Sequence, residues 1–427
     1  MARPILWRSA DHENVADPAT IRILLERAIE ARPDNPAVHL RLGHLELDRY
    51  DFAAAARAFE TALRLDPDIA DARIRLAQCY NMLLRHRETL DLLGAGNADS
   101  PSYERGAALQ ALGRQSEAEA EYRAVLSADP GHREACRKLC TMVREDGRTA
   151  EMLAICENLA ARGIRHAQLL YDWGIALALH GRTDEARAIL FDPERVVMRT
   201  LPVPDGFADL AAFNAALAEE VLGNRYRLNQ LPADDANRGS SRVHSLFAGD
   251  NPEIVRLLLG AIKGLVTAYP AAGAGAFDPW AEARPAHAHL RTWGLIQRAS
   301  DYEEWHLHRG GWLSGVYYAR VPSSVSADGP GRGCIEFGPP GAIVRAMPDL
   351  IAPSRYQPRE GMLLLAPSHY RHRTIPTQAD EYRISIAFDV VSDEKPRPFV
   401  RAPKHLAPAA ADMTLLRRAG HSNGTAF

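Results

Sequence analysis

Cysteine is scarce in this chain: Cys79, Cys136, Cys140, Cys156 and Cys334 are an odd, scattered set without a CxxC pair. A disulfide framework is therefore excluded. Cys136 and Cys140 lie four apart on an expected helix, where a buried small apolar residue is the expected role rather than a metal ligand. An excess of either charge is missing too. The 51 Lys and Arg against 54 Asp and Glu leave a formal net charge of −3, so neither nucleic acid nor an anionic membrane is called for as a partner. Long apolar runs are also lacking. The opening MARPILWRSADHENV has no secretory core of about 7–15 apolar residues, and the later apolar stretches are broken by Lys263, proline or arginine. The expected location is cytoplasmic. With 46% apolar and 25% charged residues over 427 positions, a disordered or fibrous chain is excluded, and roughly 100–200 residues per domain gives two or three domains.

What is present first is a repeat. Gly43, Gly106 and Gly174 are each followed twelve residues later by alanine, at Ala55, Ala118 and Ala186, and the offsets of 63 and 68 are close to two periods of 34. Around the first glycine, Leu42, Phe59, Ala62 and Pro67 fall where one helix packs closely on the next and then stops; Tyr122 and Pro130 repeat the pattern. These residues resemble the tetratricopeptide repeat over roughly residues 20–192. The resemblance covers a half repeat (Leu25, Ala28, Pro33), three clear units at 36–67, 99–132 and 167–192, and two worn units between them. It implies an α-solenoid whose concave face takes a protein or peptide partner.

The segment Phe191–Phe207 carries three prolines and loses the helical period, which predicts a linker. The expected division is a repeat domain at 1–195, a second domain at 196–393 with a helical lead-in over 205–270 and a β core over 285–392, and a mobile tail at 394–427. Helices are expected at about 208–223 and 252–269. Beyond Pro279 come short β-type runs, LRTWGLIQ, WLSGVYYARV, GCIEFG, GMLLLAP and YRISIAFDVV, separated by glycine and proline. That spacing predicts a β sandwich or barrel.

Chemistry concentrates in this second half. On an extended backbone His306 and His308 face the same side, so both imidazoles can converge on one ion. His372 follows 64 residues after His308, on a segment that a rolled sheet can bring alongside. Arg383 and Ser385 form another i, i+2 pair, offering a guanidinium fork and a hydroxyl to one carboxylate.

HLHRGGWLSGVYYARVP, GCIEFGPP, the block from Gly361 to His372 and RISIAFDV together resemble the Fe(II)- and 2-oxoglutarate-dependent dioxygenases over about 290–392. The resemblance implies a double-stranded β-helix, or jelly roll, with flanking helices. It further implies one Fe(II), 2-oxoglutarate as cosubstrate, O2, and hydroxylation of a C–H bond. His306 matches the first ligand and His372 the distal one. Arg383 matches the arginine that takes the far carboxylate of 2-oxoglutarate, with Ser385 completing Arg-x-Ser. The departure is His308, where most of the superfamily has a carboxylate. Three arrangements stay open: a three-histidine site of His306, His308 and His372, a two-histidine site helped by water or by residues around the ligands, or Glu336 or another carboxylate as third ligand.

Other histidines and aromatics read as structural. His287 and His289 form a second HxH without the glycine-tryptophan turn, His369 sits in a bend, and Trp293, Tyr317 and Tyr318 are expected in the sheet core. Two rival classes remain. One is a cupin-type metalloenzyme, suggested by the spacing Gly361, Pro367, His372 but lacking a glutamate shortly after HxH. The other is a non-enzymatic scaffold with a degenerate β domain.

Overall fold

The computed structural model describes residues 5–8, 18–94, 101–229, 236–269, 277–325, 331–338 and 353–392; the expected tail 394–427 lies outside them. Eleven helices fill the first half: α1 (Pro18–Ala31), α2 (Pro36–Asp48), α3 (Phe52–Leu65), α4 (Ala70–Met82), α5 (His86–Leu93), α6 (Tyr103–Ala111), α7 (Gln115–Ala128), α8 (Arg133–Glu145), α9 (Thr149–Ala161), α10 (Ala167–Leu179) and α11 (Thr183–Leu190). After the single α1 they form five antiparallel pairs, the solenoid that the glycine–alanine spacing predicts. The reason for the glycines is contact distance. A Cβ on Gly43 would collide with the ring of Phe59, and Cβ atoms on Gly106 and Gly174 would lie 2.7 Å from Tyr122 and Leu190. Ala55, Ala118 and Ala186 are fully buried at the same crossings.

Within each pair the turn is closed by a residue in the left-handed region: Tyr50, Leu84, Gly113, Gly147 and Gly181, with φ between 61° and 78°. These residues end the first helix by a local reversal. Their spacing of 34 residues from Gly113 to Gly147 and again to Gly181 is a second, sharper statement of the period.

The second half contributes α12 (Leu210–Gly223), α13 (Pro252–Thr267) and the short α14 (Pro279–Glu282). Its strands, with β1 (Leu6–Trp7) from the start of the chain, are β2 (Val197–Thr200), β3 (Arg227–Leu228), β4 (Asn237–Arg238), β5 (Ser241–Val243), β6 (His287–Gln297), β7 (Tyr302–Glu303), β8 (Leu313–Arg320), β9 (Ile335–Phe337), β10 (Ser354–Tyr356), β11 (Met362–Pro367), β12 (His372–Thr374) and β13 (Arg383–Ser392). The major sheet runs β2-β11-β8-β13-β6-β5-β3, with β1 pairing parallel to β6; the minor sheet is β10-β9-β12, and β4 pairs with β7. A cavity lined by residues of both sheets separates them, which is the expected jelly roll.

Strand periodicity divides the major sheet into two faces. Leu290 and Ile296 on β6, Leu313 and Tyr317 on β8, Leu363 and Leu365 on β11, and Ile384, Ile386, Phe388 and Val390 on β13 pack outward with α12, α13 and helices α6 to α11 in one continuous core. The opposite face of the same strands looks into the cavity. Helices α2 to α4 keep a separate core around Phe59 and Leu76.

Two findings differ from the sequence reading. The segment expected as a linker is built in: Phe191 and Val196 belong to an apolar cluster with Tyr318 and Met362, and β2 pairs antiparallel with β11. Three prolines end the helical period there, yet Val197–Thr200 is an extended edge strand between them, and the pattern alone did not separate strand from loop. Residues Ile5–Arg8, placed with the repeats, pair with β6 instead; two residues are too few to carry a period. Among the described residues no helix is long and apolar enough to cross a membrane.

Candidate functional site

The turn between β7 and β8 sets the site. His306 exchanges both backbone hydrogen bonds with His372, each 2.9 Å, and the His308 N–H donates to the Ser368 carbonyl at 2.9 Å. These bonds hold the HxH segment against the approach to β12. The two glycines that follow permit the close turn: a Cβ on Gly311 would strike the Ser368 hydroxyl, and one on Gly310 would come within 3.1 Å of the Arg291 guanidinium. Trp312 then stacks on Trp280 at 4.8 Å, and each indole N–H donates to the other's carbonyl.

The structure brings His306, His308 and His372 together. Their ring centroids are 4.3, 5.0 and 5.3 Å apart, and one nitrogen from each lies within 4.8 Å of the others. In every ring Nδ1 is engaged: by the Glu304 carbonyl at 2.7 Å for His306, the Tyr370 carbonyl at 3.1 Å for His372, and the Asp389 carboxylate at 2.5 Å for His308. A carbonyl or carboxylate oxygen only accepts, so each Nδ1 carries a proton, and in the neutral ring that leaves the lone pair on Nε2. His308 Nε2 and His306 Nε2 face each other at 3.3 Å. Lone pairs turned on one point repel unless a cation lies between them, so the donor set fits a divalent transition metal. Burial and neighbouring His308 push His372 down to about 3, which keeps it the neutral, ligating form.

Asp389 is the residue that sequence reasoning missed. Its side chain is fully buried and accepts from His308, from the Ser314 hydroxyl at 2.7 Å and from Arg291. Burial pulls its carboxyl up, but His308 and Arg291 outweigh that and hold it well below the usual carboxylate range. The signal was in the strand: Asp389 is six residues after Arg383, on the same face, and the lone acid in RISIAFDVV.

Arg383 lies in the cavity, 1% exposed. Its Nε and Nη2 donate to Gln297 Oε1 at 2.9 and 2.6 Å, and Nη1 to the Gly333 carbonyl at 2.7 Å. Among the described residues these bonds take three of its five N–H groups, and no carboxylate forms an ion pair with it. A buried guanidinium held only by neutral acceptors, its pKa lowered by burial, is a socket for a carboxylate. Ser385, also buried, lines the same cavity with His308, His372, Tyr318, Leu364 and Thr374, enclosing about 550 Å³ of empty space that is partly open to solvent. Glu303 lines it too, its Oε2 3.7 Å from His306 Nε2 and its Oε1 3.5 Å from Arg242.

The remaining candidates fall elsewhere. Glu336 is turned away from the histidines. It pairs across the minor sheet with Arg373, whose guanidinium is 2.7 Å away, and Arg355 is 3.7 Å distant. It lies one residue out of phase with His372, so the pleat sends it to the other face, and the third-ligand arrangement through Glu336 is corrected. His287 is exposed at the start of β6, and His369 is buried with Nε2 donating to the Ile189 carbonyl at 2.8 Å. Tyr317 is core as expected, whereas Tyr318 lines the cavity and Trp293 sits 5.5 Å from the His308 ring. Adjacent tyrosines on a strand must face opposite sides.

The repeats reach this site directly. Arg309, next to His308, donates to Gln168 of α10 at 2.9 Å and to Glu134 of α8 at 3.2 Å.

Comparison with known proteins gives matches to both halves of the chain. A family described as "Putative 2OG-Fe(II) oxygenase" matches residues 291–389, and two tetratricopeptide repeat families match 46–113 and 102–132. No curated protein matches the chain. Among solved structures, a Trichoplax adhaerens prolyl hydroxylase in complex with a hypoxia inducible factor peptide is similar at 12% identity and TM-score 0.34, covering 50% of this chain and 93% of that one. A Pseudomonas putida prolyl-4-hydroxylase is similar at 15% identity and TM-score 0.28, covering 46% and 92%. The tetratricopeptide repeat protein YrrB is similar at 20% identity and TM-score 0.29, covering 38% and 86%. With every one of these scores below 0.5, the assignment rests on the family models. The chain carries tetratricopeptide repeats joined to a 2OG-Fe(II) oxygenase domain, a class that uses iron and 2-oxoglutarate.

Proposed function

We propose that this oxygenase hydroxylates a C–H bond of a protein or peptide delivered by its repeats. The observation that carries this reading is a cluster of three histidines, two of them lining a cavity that also holds a buried arginine with no carboxylate ion pair among the described residues. In it His306, His308 and His372 hold Fe(II), and Arg383 with Ser385 receives the far carboxylate of 2-oxoglutarate. Iron and 2-oxoglutarate bound there supply the oxidative decarboxylation that places one atom of O2 on the substrate and releases succinate and carbon dioxide.

The chain's own groups do the rest. Three neutral imidazoles replace the usual two with a carboxylate, and Asp389 restores the missing negative charge through the His308 Nδ1–H instead of by direct ligation. Tyr318 and Leu364 wall the cavity. The division into a repeat unit at 1–195 and an oxygenase unit at 196–393 belongs to the same proposal, with Ile5–Arg8 crossing back to the sheet. A protein or peptide substrate is favoured because α8 and α10, first helices of their repeat pairs, hold the residue after His308. A chain lying along those helices is brought to the HxH turn.

The test is succinate release by the Fe(II)-loaded full-length protein over a peptide and metabolite panel, with Arg383→Ala as control. Peptide-stimulated succinate that disappears in the variant is expected. Stimulation by small metabolites alone removes the peptide reading, and no stimulated succinate from any member removes the oxygenase reading.

A further inference from the structure

A second cluster of ligand-type side chains lies inside the repeats. Cys136 and Cys140 stand one helical turn apart on α8, Cys156 on α9 and Asp172 on α10, the three cysteines fully buried and Asp172 nearly so. One ligand atom each from Cys136, Cys140 and Asp172 falls within 4.8 Å of the others, and the Cys140 and Cys156 sulfurs are 3.9 Å apart. That separation is far from a disulfide and close to the sulfur–sulfur edge of about 3.8 Å that Zn–S bonds of about 2.3 Å give in a tetrahedron.

Packing accounts for part of this arrangement and not for all of it. Cys140 is 34 residues after Gly106 and 34 before Gly174, and Cys156 follows it by 16 as Tyr122 and Leu190 follow those glycines. The pair thus stands where other repeats place a glycine against a large side chain, and two medium side chains fill that space. Volume exchange explains neither the thiol of Cys136 nor the buried carboxylate of Asp172 gathered at Cys140. Asp172 accepts from Gln168 Nε2 at 2.9 Å, a neutral partner for a group that burial pushes well up. Arg137 and Arg144 are near enough to lower it, and they offset the charge that several thiolates would bring.

We infer that Cys136, Cys140 and Asp172 form a structural zinc site that ties α8 to α10, with Cys156 of α9, beside Cys140 but outside that three-atom group, closing on the ion as the fourth ligand. Zinc fits the donor set, since sulfur-rich tetrahedral sites select it and a closed, buried site leaves no position for substrate. Its place in the fold gives it a consequence, because α8 and α10 carry Glu134 and Gln168, which hold Arg309 beside His308.

The test is metal analysis of the full-length protein after zinc loading and dialysis against a chelator, with Cys136→Ala, Asp172→Asn and His372→Ala alongside. One zinc per chain is expected in the wild type and in His372→Ala, falling to near zero in the other two, with a lower Tm for each. Mercurial titration of the wild-type thiols releases that zinc in step with modification, a readout that stands even where a variant does not fold. Wild-type protein without zinc overturns the inference, as does zinc that leaves with His372 or stays in both Cys136→Ala and Asp172→Asn. A mass showing two of these cysteines oxidised to a disulfide in the protein as purified overturns it equally.

Discussion

The two faces of β13 do opposite work with adjacent residues. Ile384, Ile386, Phe388 and Val390 enter the core shared with the helices, while Arg383, Ser385 and Asp389 look into the cavity or support its histidines. One face holds the sheet to the repeats by burial; the other holds charge away from water, Asp389 against His308 and Arg291, and Arg383 against neutral acceptors. Stability and chemistry can therefore be separated by a step of a single residue along the strand.

The largest expected effect on the chemical face is from His372→Ala. It abolishes stoichiometric Fe(II) binding and lowers turnover by at least about 1,000-fold, measured by metal titration and succinate release, with a nearly unchanged circular dichroism spectrum. On the other face, Phe388→Ala destabilises by about 3–5 kcal/mol in denaturant unfolding; folded protein that remains still binds iron. Asp389→Asn weakens Fe(II) by about 10–100-fold, and a variant with unchanged iron affinity would mean that the carboxylate does not orient His308. Gly174→Ala, within the repeats, destabilises by about 1–3 kcal/mol through overpacking against Leu190 and leaves iron affinity as it was.

Acid separates the histidines further. His166, His369 and His372 are held near 3, mainly by burial. For a buried neutral histidine the sign runs downward: stability is complete above the unfolded value of about 6.5 and is lost as pH falls from there toward 3. Apoprotein unfolding curves from pH 7 to pH 4 should show that decline. Because His369 bridges to the Ile189 carbonyl, replacing it with a neutral polar residue removes part of the pH dependence without touching the metal site.

The solenoid and the order of the large strands were legible because each rests on short-range periodicity. Gly43 with Phe59 and the alternation of RISIAFDVV are patterns within twenty residues. His306, His308, His372, Arg383 and Ser385 were nameable because their order is a motif; His308, His372, Arg383 and Ser385 line one cavity, and His306 lies beside His308 and His372. Asp389 was not named, since its role comes from pairing with a histidine 81 residues away. The same limit hid β12, too short to alternate, the return of Ile5–Arg8 to the sheet, and the grip of Glu134 and Gln168 on Arg309.

The central claim is that the three imidazoles and Arg383 form one chelate site. It is tested most directly by anaerobic titration of Fe(II), then 2-oxoglutarate, into the full-length protein, with Arg383→Ala as comparison. The account predicts a weak visible charge-transfer band in the wild type and its loss in the variant, with iron still bound by both. Bound iron with no band in the wild type would point to a cupin-like metal site that does not chelate 2-oxoglutarate, and no bound iron would leave the cavity a relic on a scaffold.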